Sequence, residues 1–360
     1  MSGEDKVYRE LQRHLDKQAV GFPATKTGVE IRILKEFFSP EEADLALYLN
    51  YEPRSVSEIC ARVQDSGLSD STIAQMLKDM ANNGAIGVKE QDGTYYYYTM
   101  PLLIGMLELH AGQASPQFLA DFNEYIAGEF GTAFKTTKVS QMRTIPVEQS
   151  IPIERAVTTY DHVREIISTT DGPIAIHPCI CREGAKRRGE PCHQTTRQET
   201  CMTFGDWAQH SIEEGASREI TREQALEIIR QNEEDGLVLQ PTNYQRIDFI
   251  CSCCGCCCGV LKIQKSLPKP AENWSHNYHA AVTTDECTAC EACVDRCQMN
   301  AIAIDETSGY AVVNLDRCFG CGNCVVTCPS GALHLIEQDG ATSPPEDRTG
   351  LYSLLADRTH

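Results

Sequence analysis

Positive charge is scarce in this 360-residue chain: 32 Lys and Arg face 51 Asp and Glu, for a net charge of −19. That balance opposes non-specific nucleic-acid binding, which needs cations to neutralise phosphates. No apolar run is long enough to cross a bilayer. The N-terminus, Met1-Ser2-Gly3-Glu4-Asp5-Lys6, has neither a charged-then-apolar signal nor twin arginines. No G-x-G-x-x-G follows a predicted strand and no flavin site is evident, which argues against a stand-alone NAD-dependent enzyme. Hydrophobic content is an ordinary 41%, and the length suits two or three domains, each with its own core.

Cysteine is abundant instead, with 19 in the chain. Without an export signal, so many thiols argue for a reducing cytoplasm and metal ligation rather than disulfides. Eight fall in two copies of one spacing: Cys287, Cys290, Cys293 and Cys297, then Cys318, Cys321, Cys324 and Cys328. Each run reads C-x-x-C-x-x-C-x-x-x-C. Structural zinc uses four ligands, often as two separated pairs, and a doubled run of this kind differs from that.

The stretch from Ala281 to Leu335 resembles the bacterial-type two-cluster ferredoxins. The resemblance implies a small α+β fold with pseudo-twofold symmetry, two [4Fe–4S] clusters and crossed fourth ligands. One cluster would be held by Cys287, Cys290, Cys293 and Cys328, the other by Cys318, Cys321, Cys324 and Cys297. The second run has the usual proline after its last cysteine, Pro329, whereas the first has Gln298. A polar side chain near one cluster is expected to make the two centres differ. Ile302, Ile304, Val312, Val313 and Val325 are expected to form the apolar shell.

Ten further cysteines lie between residues 179 and 258. They form a loose group (Cys179, Cys181, Cys192, Cys201) and a dense tract (Cys251, Cys253, Cys254, Cys256, Cys257, Cys258). Three readings stay open: one or two additional iron–sulfur clusters; a zinc site from Cys179, Cys181, Cys192 and Cys201 beside a reactive thiol tract; or a thiol–disulfide centre. Metal ligation removes the oxidation hazard of so many free thiols. Consecutive cysteines are expected not to reach one metal together. A basic island of Arg182, Lys186, Arg187 and Arg188, with His177 and His193, surrounds the first group and reads as a solvated loop or a site for an anionic partner. This arrangement ahead of a two-cluster module resembles iron–sulfur proteins of anaerobic microbes, which implies electron transfer without naming a substrate. The Cys-Cys-Gly pieces are similar to the cysteine-rich modules of heterodisulfide reductases, but here the pairs are compressed and that active site is not carried over.

Towards the N-terminus, Ser39-Pro40-Glu41-Glu42 opens a helix, Ser55 begins a second and Ser69 caps a third. A hairpin over residues 86–99 follows, with a turn at Gln91-Asp92-Gly93. Three helices and a hairpin resemble a winged helix. Residues 30–110 hold six Lys or Arg against thirteen Asp or Glu, so docking or dimerisation is expected rather than DNA binding. Cys60 is expected as a buried small hydrophobe, residues 102–107 as helix, and 136–155 as an extended connector.

The expected fold is α+β multidomain: a winged-helix-like module (1–135), a cysteine-rich α/β domain (136–272), a ferredoxin-like domain (273–338) and a tail (339–360) in which Leu351, Tyr352, Leu354 and Leu355 form a short helix. The function expected is a cytoplasmic, multi-cluster electron carrier serving a redox partner or catalytic oxidoreductase subunit. An oxidoreductase acting on a disulfide-like substrate and a redox-sensing regulator are the alternatives.

Overall fold

A computed structural model describes residues 3–64, 67–110, 113–136, 139–151 and 159–357. The chain divides into two compact units. The first comprises Met1–Thr137, His210–Ala216 and Tyr352–His360, the second Lys138–Gln209 and Ser217–Leu351. Both the cysteine-rich and the ferredoxin-like segments belong to the second.

The first unit begins with helices α1 (Gly3–Asp16), α2 (Val29–Phe37) and α3 (Pro40–Ala46). Then come β1 (Arg54–Ser55), α4 (Val56–Arg62), α5 (Asp70–Asn82) and the hairpin β2 (Ile86–Gln91) and β3 (Thr94–Thr99). Local chemistry sets these boundaries. Ser39 and Ser55 each form a capping box with a glutamate three residues on, and Ser69 accepts the Thr72 amide. Ile73, Leu77 and Met80 lie on the buried face of α5.

The sheet order is β1-β3-β2, so the tyrosine strand is central rather than an edge. Tyr97 and Tyr98 are buried and Tyr95 is exposed. Residues 102–106 are not regular helix: Ile104 sits at φ 66, in the left-handed region, and helix α6 spans only Leu107–Leu109. Helices α7 (Pro116–Ala127) and α8 (Glu129–Thr136) complete this part. Cys60 is half-buried beside Asp70 rather than fully buried.

In the second unit, residues 139–151 are structured: β4 (Arg143–Thr144) carries a buried arginine whose guanidinium donates to the Thr242, Tyr244 and Tyr160 carbonyls. Pro152 and the rest of the expected connector to residue 155 lie outside the described residues. Next come α9 (Val163–Thr169), β5 (Ile174–Pro178), α10 (Ile180–Arg187), β6 (Glu199–Phe204), α11 (Gly205–Glu213), β7 (Arg218–Ile220), α12 (Arg222–Glu234), β8 (Val238–Pro241), β9 (Phe249–Cys253) and α13 (Gly259–Lys265). The strands form one antiparallel sheet in the order β7-β5-β6-β9-β8. Its core joins Ile174, Ile176, Met202, Phe204 and Ile250 of the sheet to Ile166 and Ile167 of α9 and Ile229 of α12. Burying such side chains contributes about 1.5–3 kcal/mol each.

The ferredoxin-like segment contains β10 (Ser275–His276), β11 (Tyr278–Val282), α14 (Ala292–Arg296), β12 (Ile302–Ile304), β13 (Ala311–Val313), α15 (Asn323–Thr327) and β14 (Leu333–Glu337). Strand β11, ahead of the first cysteine run, pairs with β14 after the second, and β12 pairs with β13, so each two-stranded ribbon joins one half to the other. Helix α16 (Arg348–Ala356) follows, with Leu351, Tyr352 and Leu355 buried and Leu354 exposed. Among the described residues, no helix is long and apolar enough to cross a membrane.

Candidate metal centres

In the ferredoxin-like segment, Cys287, Cys290 and Cys293 share the walls of one cavity with Cys328 from the other half. Ile304, Ala311, Ala332 and Leu333 complete an apolar lining. The Ala311 amide donates to Cys287 Sγ at 3.4 Å. Cys297 lies close to Cys318, Cys321 and Cys324: burial first, then the neighbouring sulfurs Cys297 and Cys318, push the Cys321 thiol up to about 12. The amides of Ala280 and Ala301 donate to Cys318 and Cys297 at 3.4 and 3.2 Å.

The two halves share a backbone but not surroundings. Ala289 and Glu291 have φ 53 and 63, and the matching positions of the second run, Gly320 and Gly322, have φ 63 and 74. A side chain at Gly320 would lie 2.0 Å from the Tyr278 carbonyl oxygen, and one at Gly322 would lie 2.1 Å from Ser150 Oγ. Glycine is therefore needed where the loop is covered. Where it faces solvent, an ordinary residue bears about 1–2 kcal/mol of strain. Cys290 is exposed, whereas Cys318, Cys324 and Phe319 are buried, and Phe319 stacks on Trp274 at 5.6 Å. Val312 is exposed and Ile304, Val313 and Val325 are half-buried, so of the expected shell only Ile302 is buried.

Gln298 is buried and spans to the middle cysteines. Its Oε1 accepts the Gly255 amide at 2.7 Å, and its Nε2 donates to Gln194 Oε1 at 2.9 Å. Gly255 separates Cys254 from Cys256, and a Cβ there would meet the Gln298 carbonyl oxygen at 2.5 Å. The residue standing where proline is usual thus joins one cysteine run to the other.

The ten middle cysteines separate into two sets, and the division cuts across the sequence groups. Cys179 caps α10 and Cys181 lies in its first turn, Cys201 is on β6, Cys251 and Cys253 share one face of β9, and Cys258 caps α13. Their thiols interact in a closed ring: Cys179 with Cys181 and Cys201, Cys201 with Cys251, Cys251 with Cys253, Cys253 with Cys258, and Cys258 with Cys181. Hydrogen bonds from Cys181 and Cys253, helped by the Leu261 and Val260 amides, hold Cys258 well below the usual thiol range despite its burial.

The second set is Cys192, Cys254, Cys256 and Cys257, whose sulfurs all lie within 4.8 Å of one another. Cys192 is 3.6 Å from Cys254 and 3.7 Å from Cys256, and Cys256 is 3.7 Å from Cys257. The zinc set expected from sequence, Cys179, Cys181, Cys192 and Cys201, is therefore split, with Cys192 in the other group. The adjacent Cys256 and Cys257 do aim at one point, because the turn after β9 folds their sulfurs together. Ala185 and Leu237 pack against this set.

Arg182 lies between the two sets and is 1% exposed, not part of a solvated loop. It donates to the Thr200 hydroxyl and, at 2.6 Å, to the Ser252 carbonyl, and its Nε has no hydrogen-bond partner. Burial works against its charge, but Cys179, Cys201, Cys254 and Cys253 together outweigh that and hold its pKa up. Sequence alone gave no sign of this role, because Arg182 reads there as one of a basic run. Lys186, Arg187 and Arg188 are exposed, the last two pairing with Glu183 and Glu190. His177 bonds Thr203 at 2.8 Å, and burial pushes its pKa down to about 4, so it is neutral.

Residues 286–332 match the family model of the 4Fe-4S dicluster domain. This segment is therefore similar to a ferredoxin-like iron–sulfur domain, which together with the cysteine cluster suggests iron–sulfur electron transfer. No curated protein and no solved structure matches the chain.

Proposed function

We propose that this protein is a multi-cluster iron–sulfur electron-transfer protein that exchanges single electrons with a partner oxidoreductase. The observation that carries the reading is the cavity lined by Cys287, Cys290, Cys293 and Cys328, because only crossed ligation brings the fourth thiol from the other half. The donors fit the group: four thiols, an apolar lining and an amide hydrogen bond to sulfur. Cys318, Cys321, Cys324 and Cys297 would hold the second cluster, and the six-thiol ring a further iron–sulfur group. When bound, such clusters accept and release one electron at a time.

The chain's own residues tune and insulate these sites. The Ala280, Ala301 and Ala311 amides disperse negative charge on sulfur, which favours the reduced state. Trp274 and Phe319 exclude water from the second site, while exposed Cys290 leaves the first open to a partner. A net charge of −19 favours a partner with a basic surface. The winged-helix-like N-terminal part would dock a partner or a second copy. The exposed residues of α5 include Lys78 against Asp70 and Asp79, which does not suit DNA.

The test is iron and acid-labile sulfide on anaerobically purified protein, before and after Cys328→Ser. Iron and sulfide in near-equal amounts, with one cluster's worth lost in the variant, supports the reading. Absence of labile sulfide sinks it.

A further inference from the structure

Cys192, Cys254, Cys256 and Cys257 are built to a different scale from the ferredoxin-like thiols. Four thiolates at about 2.3 Å from one ion stand about 3.8 Å apart along the edges of a tetrahedron. Three of the six sulfur separations, at 3.6, 3.7 and 3.7 Å, match that edge, and all six lie within 4.8 Å. Thiolates on a cubane each bind a different iron, so their sulfurs stand well apart around a space for inorganic sulfide. The same chain supplies the contrast. Cys287, Cys290, Cys293 and Cys328 line one cavity, yet among the described residues only the Cys192 set brings its sulfurs within 4.8 Å of one another. A disulfide needs about 2.05 Å, and these sulfurs are too far apart for one.

Charge points the same way. A divalent ion with four thiolates carries two negative charges, which a dry pocket tolerates only beside a cation. Ala185 and Leu237 make the pocket dry, and the buried Arg182 guanidinium, with its unpartnered Nε, supplies the cation. The Gln194 amide adds a hydrogen bond to Cys192 Sγ at 3.4 Å. Tetrahedral S₄ selects zinc or iron over hard cations.

We propose that Cys192, Cys254, Cys256 and Cys257 hold a single thiophilic metal ion, zinc or iron, as a tetrathiolate centre separate from every iron–sulfur cluster. The four ligands tie the loop before β6 to the turn after β9, and Gln298 seats the ferredoxin-like segment on that turn.

The test counts iron, zinc and acid-labile sulfide in the full chain purified without oxygen. Cubane clusters contribute iron and sulfide equally, so the expected result is one metal ion per chain in excess of sulfide. Cys192→Ser removes that ion and leaves the paired iron and sulfide in place. Cys256→Ser, at another half-buried position, gives the same readout should the first variant fail to fold. A zinc excess identifies zinc, and an iron excess identifies iron. No excess in the unmodified chain, or an excess that both variants keep, overturns the assignment. Loss of sulfide from the unmodified chain would instead refute the electron-transfer reading and leave this site standing.

Discussion

The two cysteine-rich regions of the second unit assemble thiols by opposite routes. In the ferredoxin-like segment, three ligands come from one tight loop and a fourth from its twin, so the cavity is built by local backbone conformation. Ala289 and Glu291 hold left-handed dihedrals in one loop, and Gly320 and Gly322 hold them in the other. In the middle region the thiols come from a helix start, two neighbouring strands, a loop and a turn. They converge because the β6–β9 ladder and the caps of α10 and α13 place them at one end of the sheet. The first design tolerates exposure and strain, and the second depends on a complete fold and a buried cation. Local loops can therefore carry a cluster near solvent, whereas the middle sites share the stability of the whole sheet.

The comparison breaks most visibly at Arg182. Arg182→Leu leaves the metal-loaded thiolates without their counter-charge, and removing one partner of a buried charge pair costs about 3–5 kcal/mol. Denaturant unfolding should show that loss together with depleted middle-region metal, while the iron of residues 286–332 is retained.

The two ferredoxin-like loops give the next contrast. Gly320→Ala drives a methyl group against the Tyr278 carbonyl and adds left-handed strain, an expected loss of at least about 2 kcal/mol. Ala289→Gly relieves strain at the matching position and should stabilise the chain by up to about 1 kcal/mol in the same unfolding assay.

A smaller effect sharpens the link between the regions. Gln298→Pro restores the usual ferredoxin residue, but it removes the acceptor of the Gly255 amide and the donor to Gln194. A loss of about 1–2 kcal/mol is expected, with both ferredoxin-like cluster signals preserved. A variant as stable as the parent would show that this contact contributes nothing to joining the two regions.

The ferredoxin-like half of the site was legible because its ligands are set by short-range spacing, and the helix starts at Ser39, Ser55 and Ser69 because caps are local chemistry. The middle region was not. Cys192 lies 62 residues from Cys254 and the two meet at 3.6 Å. Cys181 and Cys201, its nearest cysteines in sequence, belong to the other set. Strand pairing decides that division, and spacing carries no record of it. Arg182 was hidden in the same way, since a buried cation and an exposed one look alike in a run of Arg and Lys. Residues 102–107 misled because an apolar run reads as helix until Ile104 and Gly105 turn it.

The most direct measurement is EPR of the dithionite-reduced protein, comparing the parent chain with Cys328→Ser. Two neighbouring clusters with crossed ligands predict a spin-coupled signal in the parent, which is lost in the variant because the remaining ferredoxin-like centre has no neighbour to couple with. An unchanged spectrum, or no cluster signal in the parent, would contradict the account.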